Sequence, residues 1–572
     1  MSNMIIARFA FTRKLVCMLL LSLGLGVGAY WQASAHGSVT RWSSLARAKV
    51  TALPGFTGSS PVASAVGLGI FGPTQMDNFG IPSTTLTVTK TSDTNDGVCD
   101  VDCSLREAVS AAAPGDSIEF ASPLFDSPQI ITLNGQIVIN KSLTITGKGS
   151  TLTILRNVAA PNAKSRVFSV SGNPVTLSKM TVSGGRISLF DQDANCGNEP
   201  CGGGIQNSGN LTLTEMFFTD NRVANNDLYG LRYGGAVSSS QNSSLTVINS
   251  TFTNNSISGP GQNFGGAIYS AGTLVVANST ITGNTLTLPV SENLYGGGYG
   301  GGIVKDGGTV TIVNTTIANN TLNGSSGSNS CAGGGIYRSP FFFGDVKALN
   351  LIVANNSVNN CQNEGTDFAG TLNSLGNNLI GNTGGTTITG TTTGNILNQN
   401  PLLAPLGNYG GTVPTRPLTN SSPAINGGNN CVVNSSCGVG NNPPISLNND
   451  QRGASRVGNV DIGAFEVNNS QNGGNFRVTL PSGRQTVAYS TTLIENVGAF
   501  TTSNISSGAL PNGLALQLSG SSLIIAGTPT QSGAFNFGFN ISDGANTFTV
   551  DYTLLLDPEN IPPDTTITST PA

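Results

Sequence analysis

Between about residues 200 and 360 the apolar positions fall in short alternating runs. Leu245-Thr246-Val247-Ile248 and Val310-Thr311-Ile312-Val313 are examples. Period-two alternation over a few residues predicts strands with one buried face. The runs sit inside a longer repeat. A Gly-Gly-small-aliphatic motif recurs as Gly202-Gly203-Gly204-Ile205, Gly234-Gly235-Ala236-Val237, Gly265-Gly266-Ala267-Ile268, Gly300-Gly301-Gly302-Ile303 and Gly333-Gly334-Gly335-Ile336. Its aliphatic residues are 32, 31, 35 and 33 positions apart. A second motif follows each copy, ending at Asn221, Asn255, Asn284, Asn320 and Asn356; Phe252-Thr253-Asn254-Asn255 is the clearest version. Such a period belongs to solenoids, propellers or arrays. A four-stranded propeller blade needs a longer repeat, whereas three strands of about five residues plus turns fit a period near 30. Coils stacked in register place aliphatic over aliphatic, and turn asparagines over one another as amide ladders. Gly-Gly permits the close approach of a tight corner. The expected fold is all-β: a right-handed parallel β-helix (solenoid) followed by an Ig-like β-sandwich.

The sandwich is expected where the period changes. Residues 476–557 show about seven short alternating strands, among them Leu523-Ile524-Ile525, Phe535-Asn536-Phe537-Gly538-Phe539 and Phe548-Thr549-Val550-Asp551-Tyr552. At the other end, Ser104-Leu105-Arg106-Glu107-Ala108-Val109 carries a capping-box spacing and predicts a helix closing the first coil. Ile118-Glu119-Phe120 and Ile130-Ile131-Thr132-Leu133 then open the strands. The organisation expected is a signal peptide (1–35), a low-order segment (36–84), a cap with the first coils (85–160), the repeats (161–369), C-terminal coils (370–467), a linker (468–475), the sandwich (476–557) and a tail or the start of a further domain (558–572).

Composition narrows the chemistry. Charged residues are 9% of the chain, against ~25% in an ordinary soluble protein, so the solvent faces of a helical protein are missing. His36 is the single histidine, which excludes His-rich zinc sites and serine or cysteine catalysis through a core histidine. The formal charge is −4 with no basic run beyond the N-terminus, so nucleic acid is not an expected partner. Arg8, Arg13 and Lys14, the apolar residues 15–30 and Ala33-Ser34-Ala35 read as a secretory signal cut after Ala35, leaving no transmembrane segment. Outside it stand Cys99, Cys103, Cys196, Cys201, Cys331, Cys361, Cys431 and Cys437. Export makes disulfides the default, paired 99–103, 196–201, 331–361 and 431–437.

The paired Gly-Gly and Asn motifs resemble the repeats of polymorphic outer-membrane proteins, a group of β-helical adhesins and autotransporter passengers. Asp93, Asp96, Gly97, Cys99, Asp100, Val101, Asp102, Cys103 and the capping helix resemble the CSLREA domain found at the N-terminal end of exported β-helix proteins. Gly407-Asn408-Tyr409-Gly410-Gly411, Ser422-Pro423-Ala424-Ile425-Asn426-Gly427, Asp450-Gln451-Arg452-Gly453 and Asp461-Ile462-Gly463-Ala464-Phe465-Glu466 resemble the choice-of-anchor Q region. Arg416 departs from that pattern, where the family usually has histidine. Leu510-Pro511-Asn512-Gly513-Leu514 and Gly527-Thr528-Pro529 resemble the cadherin-like Ig modules of bacterial surface proteins.

No cofactor is required by this reading. Asp93, Asp96, Asp100 and Asp102 offer hard oxygen ligands for Ca²⁺, the alternative being a solvated turn closed by a disulfide. Asp450, Arg452, Asp461 and Glu466 read as structural ion pairs. The expected role is that of a secreted or surface-displayed, monomeric adhesin-like protein meeting extracellular glycans or proteins. The rival is a lyase or hydrolase of acidic polysaccharide with carboxylates on one face of the helix. Its candidate acids are Asp191, Asp193, Glu215, Asp220, Asp227, Asp306, Asp345, Glu364 and Asp367.

Overall fold

The computed structural model describes residues 83–149, 153–156, 166–188, 199, 201–224, 230–289, 296–325, 330–341, 343–419, 421–434, 436–437, 447–467, 475–494, 501–519, 522–542 and 547–559. The expected signal peptide, most of the low-order segment, Asp191, Asp193, Cys196, Asp227, most of the linker and most of the tail lie outside them.

Every strand pair in the repeat region is parallel and in register, which makes it a β-solenoid. Each central coil has five short strands rather than the three expected. In one coil they are Val237–Ser239, Ser244–Ile248, Thr251–Thr253, Ser256–Ser258 and Gln262–Phe264; we call their stacks rows one to five. Rows one to three surround the main core. Ile205, Val237, Ile268, Ile303 and Ile336 pile up in row one, Leu211, Leu245, Leu274, Val310 and Val346 in row two. In row three Phe218 and Phe252 stack at 4.5 Å with rings 5° apart. Rows four and five enclose a second, smaller core of Val223, Ile257, Leu286, Leu322 and Cys331. The extra rows account for a repeat longer than three strands need.

The two sequence motifs meet where the lobes join. Asn221, Asn255, Asn284, Asn320 and Asn356 are buried, and each donates Nδ2 to the next Oδ1 at 2.9 Å. Their backbone N–H groups donate to the same oxygens. Opposite the ladder run the glycines. A Cβ on Gly204 would stand 3.2 Å from Asn221, and one on Gly302 3.2 Å from Asn320. The leading glycines 202, 234, 265, 300 and 333 all have φ between +59° and +78°, a region costly for residues with a Cβ. The amide dipoles all point toward the C-terminal end, where the Asp367 carboxyl accepts from Asn356 Nδ2 at 2.9 Å and closes the column.

The expected helix with its capping box is present near the N-terminal end of the described residues. Helix α1 (Leu105–Ala111) has the full capping box. Glu107 additionally accepts from Thr94 Oγ1 at 3.0 Å and from the Asp96 amide at 3.2 Å, tying the 99–103 disulfide loop to the helix.

Beyond the last coil strands, Thr386–Thr391 and Ile396–Leu397, the chain adds no further coil. The described residues between 401 and 467 turn back as a strap along the outside of row three. Gln451 Nε2 donates to Thr251 Oγ1 at 2.7 Å, and Gln451 Oε1 accepts from Thr280 Oγ1 at 2.5 Å. Arg416 Nη1 donates to Thr282 Oγ1 at 3.1 Å. The outward threonines of successive coils give the strap an evenly spaced polar edge to bind. Residues 475–559 form an antiparallel-dominated sandwich of a five-stranded and a three-stranded sheet. Its core takes in Ala404, Tyr409 and Phe465 of the strap, so the sandwich is not an isolated bead.

Candidate functional site

Row one presents its middle residue outward, because its first and third residues point in. Tyr269, Val304 and Tyr337 therefore point away from the main core into a separate, largely buried apolar cluster, packed against the partly buried Tyr233, Phe264 and Tyr299 at the ends of row five. Parallel stacking makes these a continuous aromatic wall. Tyr233, Phe264 and Tyr299 stack at 5.5 and 5.2 Å, with Tyr269 4.5 Å from Tyr233 and Tyr337 4.8 Å from Tyr299. Each of the row-five rings directly precedes a Gly-Gly motif, a regularity present in the sequence that reads there only as corner chemistry.

Beside the wall lies a groove of about 650 Å³. Its floor and far side are hydroxyl- and amide-bearing: Ser238, Ser240, Gln241, Asn242, Ser244 and Thr273. Tyr233 and Tyr269 line the near side and Phe343 the C-terminal end. Asp306 is the one acid among its described lining residues, and Tyr269 donates its hydroxyl to Asp306 Oδ2 at 2.8 Å. Burial pushes the Asp306 carboxyl above its ordinary range, against the hydrogen bonds from Tyr269 and Ser339. Burial and the Asp306 charge likewise raise the Tyr269 phenol, which stays a neutral donor. A second groove of about 610 Å³ continues toward the C-terminus, lined by Tyr337, Arg338, Pro340, Thr366, Thr371 and Asn382 among others.

The four N-terminal aspartates are not brought together. Asp93 takes a bidentate pair from Arg106 at 2.8 Å, and Asp102 pairs with Lys90 at 2.9 Å. Asp96 and Asp100 accept from loop amides at Val98 and Asp102. Among the described residues no three or more His, Cys, Asp or Glu side chains are grouped as a metal ion would need. Of the other acids, Asp220 sits at a turn with φ +56° and Asp367 ends the ladder. Burial raises the Asp367 carboxyl, partly offset by the Asn356 donors.

The strap acids are structural. Asp450 pairs with Arg452 at 2.7 Å and Glu466 with the buried Arg456 at 3.0 Å. Arg456 Nη2 also donates to Asn278 Oδ1 at 2.9 Å, fastening strap to solenoid. Burial and then the Glu466 charge push the Asp461 carboxyl up to about 7. Disulfides join Cys99 to Cys103, Cys331 to Cys361 and Cys431 to Cys437, and Cys201 is disulfide-bonded.

No family model and no curated protein matches the chain. Among solved structures, an endo-fucoidan hydrolase of glycoside hydrolase family 107 and a point variant of it share 26% identity with this chain. The match spans 15% of this chain and 13% of the hydrolase, with a TM-score of 0.13, an extent too small to transfer an architecture or an activity.

Proposed function

We propose that this chain is an exported, surface-displayed or secreted β-solenoid that binds extracellular glycans through its aromatic-walled groove. The carrying observation is the pairing of a five-ring wall with a floor of neutral hydroxyls and amides. Sugar rings present an apolar C–H face and an equatorial rim of hydroxyls, which such a surface matches. The disulfides fit an oxidising compartment. On this reading residues 85–160 are a CSLREA-type cap, residues 370–467 act as the choice-of-anchor Q region laid along the solenoid, and the sandwich is a cadherin-like Ig module.

A polysaccharide hydrolase or lyase is the second reading, favoured by the raised carboxyl of Asp306 facing the groove. It ranks second because paired-carboxylate hydrolysis needs two acids about 5–9.5 Å apart, and the described groove supplies one. A glycan array combined with assays for new reducing ends and unsaturated products decides between them. Binding without product is expected, weakened in Tyr269→Ala. Product formation abolished by Asp306→Asn would replace binding with catalysis.

A further inference from the structure

The segment between row one and row two after Arg338 is longer than residues 271–272 and 306–309, which make the same link in earlier coils; its described residues are 339–341 and 343–345. Phe341 and Phe343 on it are 83% and 97% exposed. Rings so placed normally belong to slack backbone; here the backbone is pinned. Lys305 Nζ donates to Phe343 O at 2.8 Å, Arg338 Nη2 donates to Gly344 O at 3.3 Å, and the Ser339 amide donates to Lys305 O at 2.9 Å. Gly344, at φ +109°, lies so close to the Gly308 carbonyl of the coil below that a Cβ would overlap it.

Lys305 has no exposed surface. It occupies the third position of row one, where earlier coils carry Asn207, Ser239 and Ser270 and the next coil carries Arg338. A buried ammonium is costly, and burial together with Arg338 lowers its pKa. A serine would fill the column more cheaply; the lysine instead reaches the Phe343 carbonyl, with Asp306 and Asp345 favouring its charge.

Resting on the glycan reading above, we infer that this loop is a preorganised recognition element that lays one neutral polysaccharide chain along the solenoid axis, with Phe343 as a stacking platform and Lys305 as its positioning residue. Phe343 lines the first groove and Tyr337, Arg338 and Pro340 the second, so the loop stands between two halves of one track. Fixing the backbone that carries Phe343 before binding removes part of the entropy that binding would otherwise cost. The ligand class follows from the lining of the first groove: a polyuronate would bring its charges onto Asp306, whereas an uncharged hexose or pentose polymer meets hydroxyls and amides there.

The test is affinity electrophoresis of the full chain in gels holding galactomannan, arabinoxylan or mixed-linkage β-glucan, with polygalacturonate and alginate gels in parallel. Retardation is expected in at least one neutral gel, weakened about three- to tenfold by Phe343→Ala. Lys305→Met should weaken it by a similar factor and add nothing in the Phe343→Ala background, whereas Tyr233→Ala should multiply with either. Arg338→Met, which keeps Lys305 and removes the other side-chain donor to the loop backbone from the next place in the same column, serves as the second pin variant, and Tm confirms that each variant folds. A neutral polymer held equally by Phe343→Ala, or Lys305 and Phe343 losses that multiply, overturns the loop's role. Retardation in the uronate gels alone overturns the neutral class while keeping the glycan reading. No retardation in any gel removes the glycan reading itself.

Discussion

Asn284 shows how much one side chain carries. Its Nδ2 donates to Asn320 Oδ1, Phe252 O and Thr282 O at 2.9–3.2 Å, and its Oδ1 accepts from Asn255. Asn284→Ala leaves buried partners on both sides unpaired, at about 1–3 kcal/mol each, and urea unfolding should show a loss of at least about 2 kcal/mol. Glu107 gives a pH signature. Burial resists its ionisation, yet donors from Ser104, Asp96 and Thr94 hold its pKa down to about 2, below the ~4.3 of a free glutamate. Its folded-state pKa is depressed, so the stability it contributes is full above about pH 4.3 and lost as pH falls toward 2. Thermal melts should show that acid-side decline, and Glu107→Gln should flatten it. The capping box and the asparagine column were legible from spacing alone. The Lys305–Phe343 contact was not, because it joins residues of different coils and a single lysine in a strand carries no periodic signal.

Elements hold together through neighbours one coil away. The Cys331–Cys361 bridge closes a separation of 30 residues across two coils of the smaller lobe. A loop of that size is worth about 3–4 kcal/mol on the chain-entropy estimate. Replacing both cysteines by alanine should lower Tm while leaving the asparagine-ladder amides protected in hydrogen exchange; equal loss of protection everywhere would show that the lobes do not open separately. The strap offers a second test. Arg456→Leu strands Glu466 in a buried site, a change costing about 3–5 kcal/mol. Exchange should then rise across residues 401–467 and the row-three threonines before it rises in rows one and two. From sequence these residues read as coils, because their Gly, Pro and Asn punctuation resembles that of the repeats. What separates them is the lack of a period, and only the fold shows them running back along earlier coils.

At the scale of the molecule, repetition produces the site. Three successive coils place an aromatic, Tyr233, Phe264 or Tyr299, before the Gly-Gly corner, and stacking converts those single residues into a wall that no local stretch of sequence displays. The fold class was readable because period, alternation and turn chemistry agree. The groove was not, since its residues come from rows one, two and five of several coils and each looks ordinary alone. The most direct measurement is a crystal structure of the full chain with a neutral oligosaccharide at saturating concentration. The account predicts pyranose rings parallel to the solenoid axis, packed on Tyr233, Tyr269 and Phe343 with hydroxyls on Ser240 and Asp306. Sugar bound only on the sandwich, or an empty groove at saturation, would contradict it.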